Sequence, residues 1–200
     1  MCGGKGIRLR QFEGVEKPLL DLKGKAMIEY VLDALIRSQK FRRIIAVSSP
    51  FSSKTTTFLY RHSYYSNGLM DVIETEGDSY SIDLSFVLNM IKPDRVLTVS
   101  ADLPLLSSYI IDQIVIYNIP RFSCASIILE KHFVENIGIT PSIVFKIGAH
   151  QYCHSGIIIF NSRVKECQKI KEYFILMNKK EIAVNVNTLK ELQIAERLLP

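Results

Sequence analysis

The sequence predicts an α/β protein: a mostly parallel sheet flanked by helices, with antiparallel strands added in the C-terminal half. Short apolar, strand-like runs alternate with amphipathic helical segments before about Ser123, and such alternation implies a parallel sheet covered on both faces. From about Ser123 onward, three strand-like runs follow with little helix between them. Because 200 residues, 48% of them hydrophobic, suffice for one core, we expect residues 1–200 to form a single domain.

The first half alternates regularly. Apolar residues at helical spacing predict a helix over Ala26–Ser38, and further helices are expected over Thr56–Arg61, over Asp83–Ile91 and around Ile110–Val115. The strand-like runs between them are Arg43–Ser49, "DVIET" from Asp71, and "RVLTVSAD", which ends at Asp102.

The second half has a different rhythm. "CASIILEKHF", "SIVFKI" and "SGIIIFN" are predicted to be strands. A helix over Val164–Leu176, a strand "EIAVNVN" and a closing helix then complete the chain. Thr188 and Glu191 have the spacing of a capping box, which favours the start of that closing helix.

Composition narrows the class of partner. The formal net charge is +5 and the basic residues are scattered, which favours small anionic ligands over nucleic acid. The four cysteines are far apart, as is typical of free thiols in a reducing compartment. Apolar runs such as Ile157–Phe160 are too short to cross a bilayer. We therefore expect a cytoplasmic protein without membrane insertion.

A glycine-rich loop opens the chain. Gly3, Gly4 and Gly6 let the backbone approach a phosphate closely, and Arg8 can pair with phosphate oxygens. The loop is neither a Walker A motif nor a GxGxxG fingerprint. A flexible glycine turn is the alternative.

Two further residues suit phosphate chemistry. In "GVEKPL", Pro18 stiffens the backbone beside Lys17, a compact cation for a nucleotide phosphate. Asp102 follows a predicted parallel strand, at the sheet edge where α/β proteins bind ligands and where Mg²⁺ would bridge phosphates. A surface lysine and a helix N-cap are the alternatives.

Taken in order, these motifs resemble the nucleotidyltransferase family that has a GGxGxR loop, an EKPL-type lysine and a strand-terminal aspartate. Within that family, the chain most resembles the archaeal-type adenosylcobinamide-phosphate guanylyltransferases, and the middle of the chain is what separates them from the other members. The similar segments are "GGKGIR", "GVEKPL", "SSP" at Ser48–Pro50, "ETEGDSYSIDL" at Glu74–Leu84, "SADL" at Ser100–Leu103, "SGIIIF" at Ser155–Phe160 and "NVNTLKELQIAE" at Asn185–Glu196. The resemblance implies a Rossmann-like sheet.

The resemblance also assigns roles. It makes Arg8, Lys17 and Asp102 the catalytic residues, and Asp102 with Asn187 the ligands of Mg²⁺. An asparagine that caps the last helix would explain Asn187 nearly as well. The remaining residues are expected to bind nucleotide or acceptor: Gly3, Gly4, Lys5 and Gly6 the triphosphate; Ser48 the nucleotide; Thr75, Gly77 and Tyr80 the base; and Gly156, placed in a turn, the acceptor.

The implied reaction transfers GMP from GTP to adenosylcobinamide phosphate and releases pyrophosphate. Molybdenum-cofactor guanylyltransferase, sugar-phosphate nucleotidyltransferase and an inactive GTP-binding module are the alternatives, and a homodimer is left open. Relatives place an apolar strand before the glycine loop, so we expect the first strand to be truncated here. A zinc site at "HQYCH", His150–His154, is a separate alternative.

Overall fold

The computed structural model describes residues 14–119, 123–161 and 172–200. Strands within these residues are β1 Asp21–Leu22, β2 Lys25–Ala26, β3 Ile45–Ser48, β4 Asp71–Glu74, β5 Arg95–Val99, β6 Cys124–Glu130, β7 Val144–Ile147, β8 His150–Asn161 and β9 Glu172–Leu176. Helices are α1 Met27–Ser38, α2 Ser53–Arg61, α3 Ser63–Ser66, α4 Tyr80–Ile91, α5 Ser108–Val115, α6 Lys131–Ile137, α7 Lys180–Ala183 and α8 Leu189–Leu198. None of the described helices is long and apolar enough to span a membrane.

Parallel pairing joins β3 to β4 and β6 to β9, and antiparallel pairing joins β8 to three strands, among them β5, which was predicted to be parallel. Strands β3 and β4 run parallel, in register from Ile45 opposite Asp71 to Ser48 opposite Glu74. A five-stranded sheet has the order β5-β8-β6-β9, with β7 also paired to β8. Strands β5, β6 and β7 are antiparallel to β8, whereas β9 is parallel to β6. The predicted α/β class is confirmed.

Helix α1 connects the two parts of the core. Its residues Met27 and Val31 pack in the large cluster with the inner faces of β6 and β8 and with α5. Its residues Ile28 and Leu32 belong to a second cluster with Leu59 of α2. The predicted amphipathic pattern is therefore buried on two sides, which fixes the small β3–β4 sheet beside the five-stranded one.

Three predicted elements were wrong. The end of "CASIILEKHF" begins α6 instead of continuing β6, and residues 172–176 form strand β9 instead of the end of a helix. Residues 164–171 of that predicted helix lie outside the described part. "EIAVNVN" contains the end of α7 and an irregular segment. Its apolar residues 182–184 and 186 are all buried, so its hydrophobicity reports burial in the core and not strand pairing.

A charged cluster ties α1 to its neighbours. Lys25 Nζ donates to Asp33 Oδ2 at 2.5 Å, and the Tyr64 hydroxyl donates to Asp33 Oδ1 at 2.7 Å. Burial alone would raise the pKa of Asp33, but the hydrogen bonds from Lys25 and Tyr64 and the nearby positive charges outweigh it. The pKa of Asp33 in the folded protein therefore lies below its ordinary value of 3.8.

We predict that Asp33→Asn lowers the free energy of unfolding at pH 7 by about 1 kcal/mol, because it removes a partly screened ion pair. A lowered folded-state pKa stabilises the protein above pH 3.8, and this contribution is lost as the pH falls through the folded-state value. Urea unfolding as a function of pH measures it. Asp71→Asn, which removes the exposed pair with Arg43, is the control and should change little. An equal loss for Asp33→Asn at all pH values would contradict the explanation.

Candidate active site

Asp102 lies in the turn just after the carboxyl end of β5. Its main-chain oxygen accepts a hydrogen bond from Val186 N at 3.0 Å, which holds the segment before α8 against this turn. The Asp102 side chain is 17% exposed. The strand end thus presents a largely buried carboxylate beside a second chain segment.

Lys17 joins these two segments from a distant part of the sequence. It begins a short 3-10 turn, Lys17–Leu19, in which Pro18 is buried. Lys17 Nζ donates to Asp102 Oδ2 at 2.5 Å and to Asn187 Oδ1 at 2.8 Å. Three residues predicted for the site therefore meet, although they lie 85 and 170 positions apart along the chain. We call Lys17, Asp102 and Asn187 the polar triad.

The residue before Lys17 explains how its loop is held. The Glu16 carboxylate accepts hydrogen bonds from Lys54 N at 2.9 Å, from Thr55 N at 2.7 Å and from the Thr55 hydroxyl at 2.6 Å. These amides belong to the first turn of α2, where unpaired N–H groups favour a negative charge. Glu16 thereby anchors the Lys17 loop to α2, a role that the sequence pattern did not indicate.

Asn187 is oriented by a buried acid on α8. Glu191 is 2% exposed, and its carboxylate accepts from Asn187 N at 2.7 Å and from Thr140 N at 3.1 Å. The Asn187 side-chain nitrogen donates to Asn185 Oδ1 at 2.8 Å, which turns its oxygen toward Lys17. The capping-box spacing located this helix start correctly: Thr188 accepts from Glu191 N. The spacing did not reveal that the Glu191 side chain bonds to the backbone of Asn187 instead of the backbone of the N-cap residue Thr188.

Gly156 lies within β8, so its predicted position in a turn was wrong. The pairing of β6 with β8 shifts register between Ser126 and Ile128, a β-bulge that accommodates a φ of +85° at Gly156. An added Cβ would come within 2.9 Å of Ser100 Cβ and 3.8 Å of Asn185 Nδ2. The glycine therefore lets β8 approach both segments that carry the polar triad.

Ser48, predicted to bind the nucleotide, and two of the three residues predicted to bind the base lie together near the end of β3. Ser48 ends β3, and its carbonyl accepts from both the N–H and the hydroxyl of Thr75 at 3.0 Å. Gly77 has a φ of +76° and lies against Phe51, with no room for a side chain. Tyr80 begins α4, and its hydroxyl donates to Thr98 Oγ1 on β5 at 3.3 Å. Ser48, Thr75 and Gly77 are therefore adjacent, whereas Tyr80 is attached to a different strand.

Several buried oxygens at these places have no partner among the described residues. They are Asp102 Oδ1 in the polar triad and the hydroxyls of Ser48 and Ser49 at the end of β3. A buried polar atom without a partner is costly and suggests a ligand. Gly3, Gly4, Lys5, Gly6 and Arg8 lie outside the described residues.

The polar triad fits Mg²⁺ better than a softer metal. Asp102 and Asn187 offer carboxylate and amide oxygens, and Mg²⁺ is usually held by one or two protein groups together with water and phosphate oxygens. The described residues contain no cluster of three or more His, Cys, Asp or Glu that could hold a metal. His150 and His154 lie four residues apart in strand β8, about 13 Å along it, so they do not converge on a zinc ion.

Comparison with known proteins identifies the class. The sequence profile of the MobA-like NTP transferase domain matches residues 1–117. The chain is 32% identical over 205 residues to an adenosylcobinamide-phosphate guanylyltransferase of Methanocaldococcus jannaschii, and the match covers 100% of this chain and 95% of that protein. The residues that carry the resemblance described above lie within these matches.

Solved structures share the fold. A hypothetical transferase from Thermus thermophilus superimposes with a TM-score of 0.68 at 14% identity, covering 96% of both chains. A CMP:2-keto-3-deoxy-manno-octonic acid synthetase complexed with CTP gives a TM-score of 0.63 at 15% identity, covering 92% of this chain and 91% of that one. The protein is a nucleotidyl-transferring enzyme with a Rossmann-like α/β fold. It belongs to the MobA-like NTP transferase family.

We predict that Gly156→Ala destabilises the protein by about 2 kcal/mol, since it adds backbone strain and a clash with Ser100. Gly24→Ala is the matched control: its φ is +80°, but nothing lies within 4 Å of the added Cβ. It should cost only the strain, about 1 kcal/mol. Urea unfolding of both variants measures the difference. Equal losses would show that β8 does not pack tightly against Ser100.

Proposed function

We propose that the protein transfers GMP from GTP to adenosylcobinamide phosphate, forming adenosylcobinamide-GDP and pyrophosphate. An oxygen of the acceptor phosphate forms a bond to the α-phosphorus of GTP. The bond from that phosphorus to the pyrophosphate oxygen breaks, and pyrophosphate leaves with the electron pair. The family and the 32% identical relative support this assignment. The observation that carries it is the contact of Lys17 with both Asp102 and Asn187.

Positioning and charge neutralisation suffice for this chemistry, so the chain need not supply a nucleophile. Asp102 and Asn187 would hold Mg²⁺, and the bound ion would neutralise charge on the triphosphate. Lys17 would stabilise charge on the attacked phosphate. Gly3, Gly4, Lys5, Gly6 and Arg8 would bind the triphosphate, as the sequence resemblance implies.

In the structure, Lys17 Nζ is hydrogen-bonded to the same Asp102 and Asn187 oxygens that would bind the cation. Its ammonium group compensates the Asp102 charge and satisfies the Asn187 oxygen. A lysine on a flexible stem can rotate away without moving its backbone, which is fixed by the 3-10 turn and by Glu16. Lys17 would therefore exchange Asp102 and Asn187 for a phosphate oxygen as substrate binds.

The end of β3 suits the nucleotide base. The buried hydroxyls of Ser48 and Ser49 have no partner among the described residues, and Gly77 lies close by against Phe51. Thr75 already bonds to the Ser48 carbonyl, so it would position Ser48 more than bind the base. Tyr80 would contribute from α4. Gly156, beside Asn185, would leave room for the acceptor.

Pyrophosphate release tests the assignment directly. We expect release from GTP and Mg²⁺ with adenosylcobinamide phosphate as acceptor. Release only with a sugar phosphate or with molybdopterin would move the enzyme elsewhere in the family. Tight GTP binding without turnover on any of these acceptors would indicate a binding module and overturn the proposal.

We predict that Lys17→Met and Asp102→Asn each lower kcat by a hundredfold or more, roughly the loss expected for one charged group at the reacting phosphate. Lys40→Met, an exposed lysine that follows α1, is the control and should keep wild-type turnover. Circular dichroism would establish that all three variants are folded. Wild-type rates in the first two would show that the polar triad is not the reaction centre.

We also predict that Lys17→Met raises the affinity of the nucleotide-free protein for Mn²⁺, a spectroscopic substitute for Mg²⁺, by about tenfold. The reason is that Lys17 competes with the cation for Asp102 and Asn187. Paramagnetic resonance of free Mn²⁺ measures the affinity without turnover. Asp102→Asn should weaken it. Unchanged affinity in Lys17→Met would contradict the exchange.

A further inference from the structure

Four rings cluster on one face of the five-stranded sheet. Phe145 of β7 lies 4.8 Å from His154 and 6.2 Å from Tyr152, both on β8, measured between ring centroids. The Phe145 ring is also 5.2 Å from Phe174 of β9. The contact of Phe145 with Phe174 extends across β8 and β6, which lie between β7 and β9 in the sheet. The four rings therefore form one continuous surface. We call this set of four residues the aromatic platform.

The platform is on the side of the sheet that faces away from the main core. Along β8, Cys153, Ile157 and Ile159 are buried in the core, whereas Tyr152 and His154 alternate with Cys153 and are only half-buried. Phe145 and Phe174 are also half-buried. The platform is bordered by exposed apolar residues two positions further along β7 and β9, Ile147 at 42% and Leu176 at 48% exposure. Such a clustered apolar surface is typical of a binding site.

Two chain segments connect the platform to the polar triad. On β8, His154 is followed two residues later by Gly156, which lies against Asn185. On the β7 side, Phe145 comes three residues after Ser142, whose hydroxyl oxygen accepts from Asn187 Nδ2 at 3.4 Å. Three residues span at most about 10 Å even when fully extended. A molecule held on the platform would therefore reach the triad with a phosphate-bearing arm.

We infer that the aromatic platform binds the acceptor, through the flat, largely apolar face of a large ring that carries amide arms. This inference rests on the proposed function, whose acceptor has such a corrin ring. Aromatic faces pack well against flat apolar surfaces, and the polar edges of Tyr152 and His154 can bond to amides. A simple sugar phosphate offers no comparable surface, so the platform would select acceptors by the size of their ring.

The experiment compares Phe145→Ala and the milder His154→Leu with Tyr109→Ala, a control that removes a 66% exposed ring from α5. We expect both platform variants to raise the KM for adenosylcobinamide phosphate about tenfold. The Kd for GTP should stay within about twofold of wild type, because the described residues predicted to bind nucleotide lie on other elements than the platform: Ser48 on β3, Thr75 and Gly77 after β4, and Tyr80 on α4. Tyr109→Ala should change neither constant.

Equilibrium dialysis with cobinamide, the ring without its phosphate, separates this inference from the proposed function. We expect wild-type protein to bind cobinamide and Phe145→Ala to bind it about tenfold more weakly, whether or not pyrophosphate is released. The inference would be overturned if the wild type did not bind cobinamide, or if the wild type and Phe145→Ala bound it equally well. A lowered melting temperature with unchanged acceptor KM would show a structural ring cluster, and a changed oligomeric state would show an interface between copies. Either result would also overturn it.

Discussion

The geometry of the candidate active site depends on one lysine that bonds to two oxygens from distant parts of the sequence. Lys17 brings the N-terminal part of the described chain against the end of β5 and the start of α8, since its ammonium group bonds to both Asp102 and Asn187. Lys17 and Asn187 are each held in place by a glutamate. Glu16 attaches the lysine loop to α2, and Glu191 holds the backbone of Asn187. The charge of the ion pair is thus embedded in hydrogen bonds that set its geometry.

The sheet topology explains why this group lies beside an open surface. Because β8 is antiparallel to both β5 and β6, its first residues extend beyond the end of β5, on the side where Asp102 lies. The bulge at Gly156 marks the point at which β8 stops pairing with β5 and starts pairing with β7. The residues before it, with β7 and β9, then form the aromatic platform. The polar triad and the proposed acceptor surface thus lie along one long strand.

The sequence predicted those features that depend on local pattern. The helix α1, the strand before Asp102 and the start of α8 follow from periodicity and capping, and Lys17, Asp102 and Asn187 follow from motif resemblance. What it could not predict depends on tertiary contact. The buried segment at residues 182–186 looks like a strand because it is apolar, but the core and not a neighbouring strand accounts for that character. No sequence pattern pointed to the contact of Glu16 with α2, and the capping-box spacing singled out Glu191 but not its bonds to the backbone of Asn187 and Thr140. The platform joins rings from three strands whose pairing was not known.

A crystal structure with GTP and Mn²⁺ bound would test the central claim most directly. We predict that the cation lies about 2.1 Å from oxygens of Asp102 and Asn187, and that Lys17 Nζ has moved from both residues onto a phosphate oxygen of GTP. A structure in which Lys17 keeps its bonds to Asp102 and Asn187 while the cation and triphosphate bind elsewhere would contradict it.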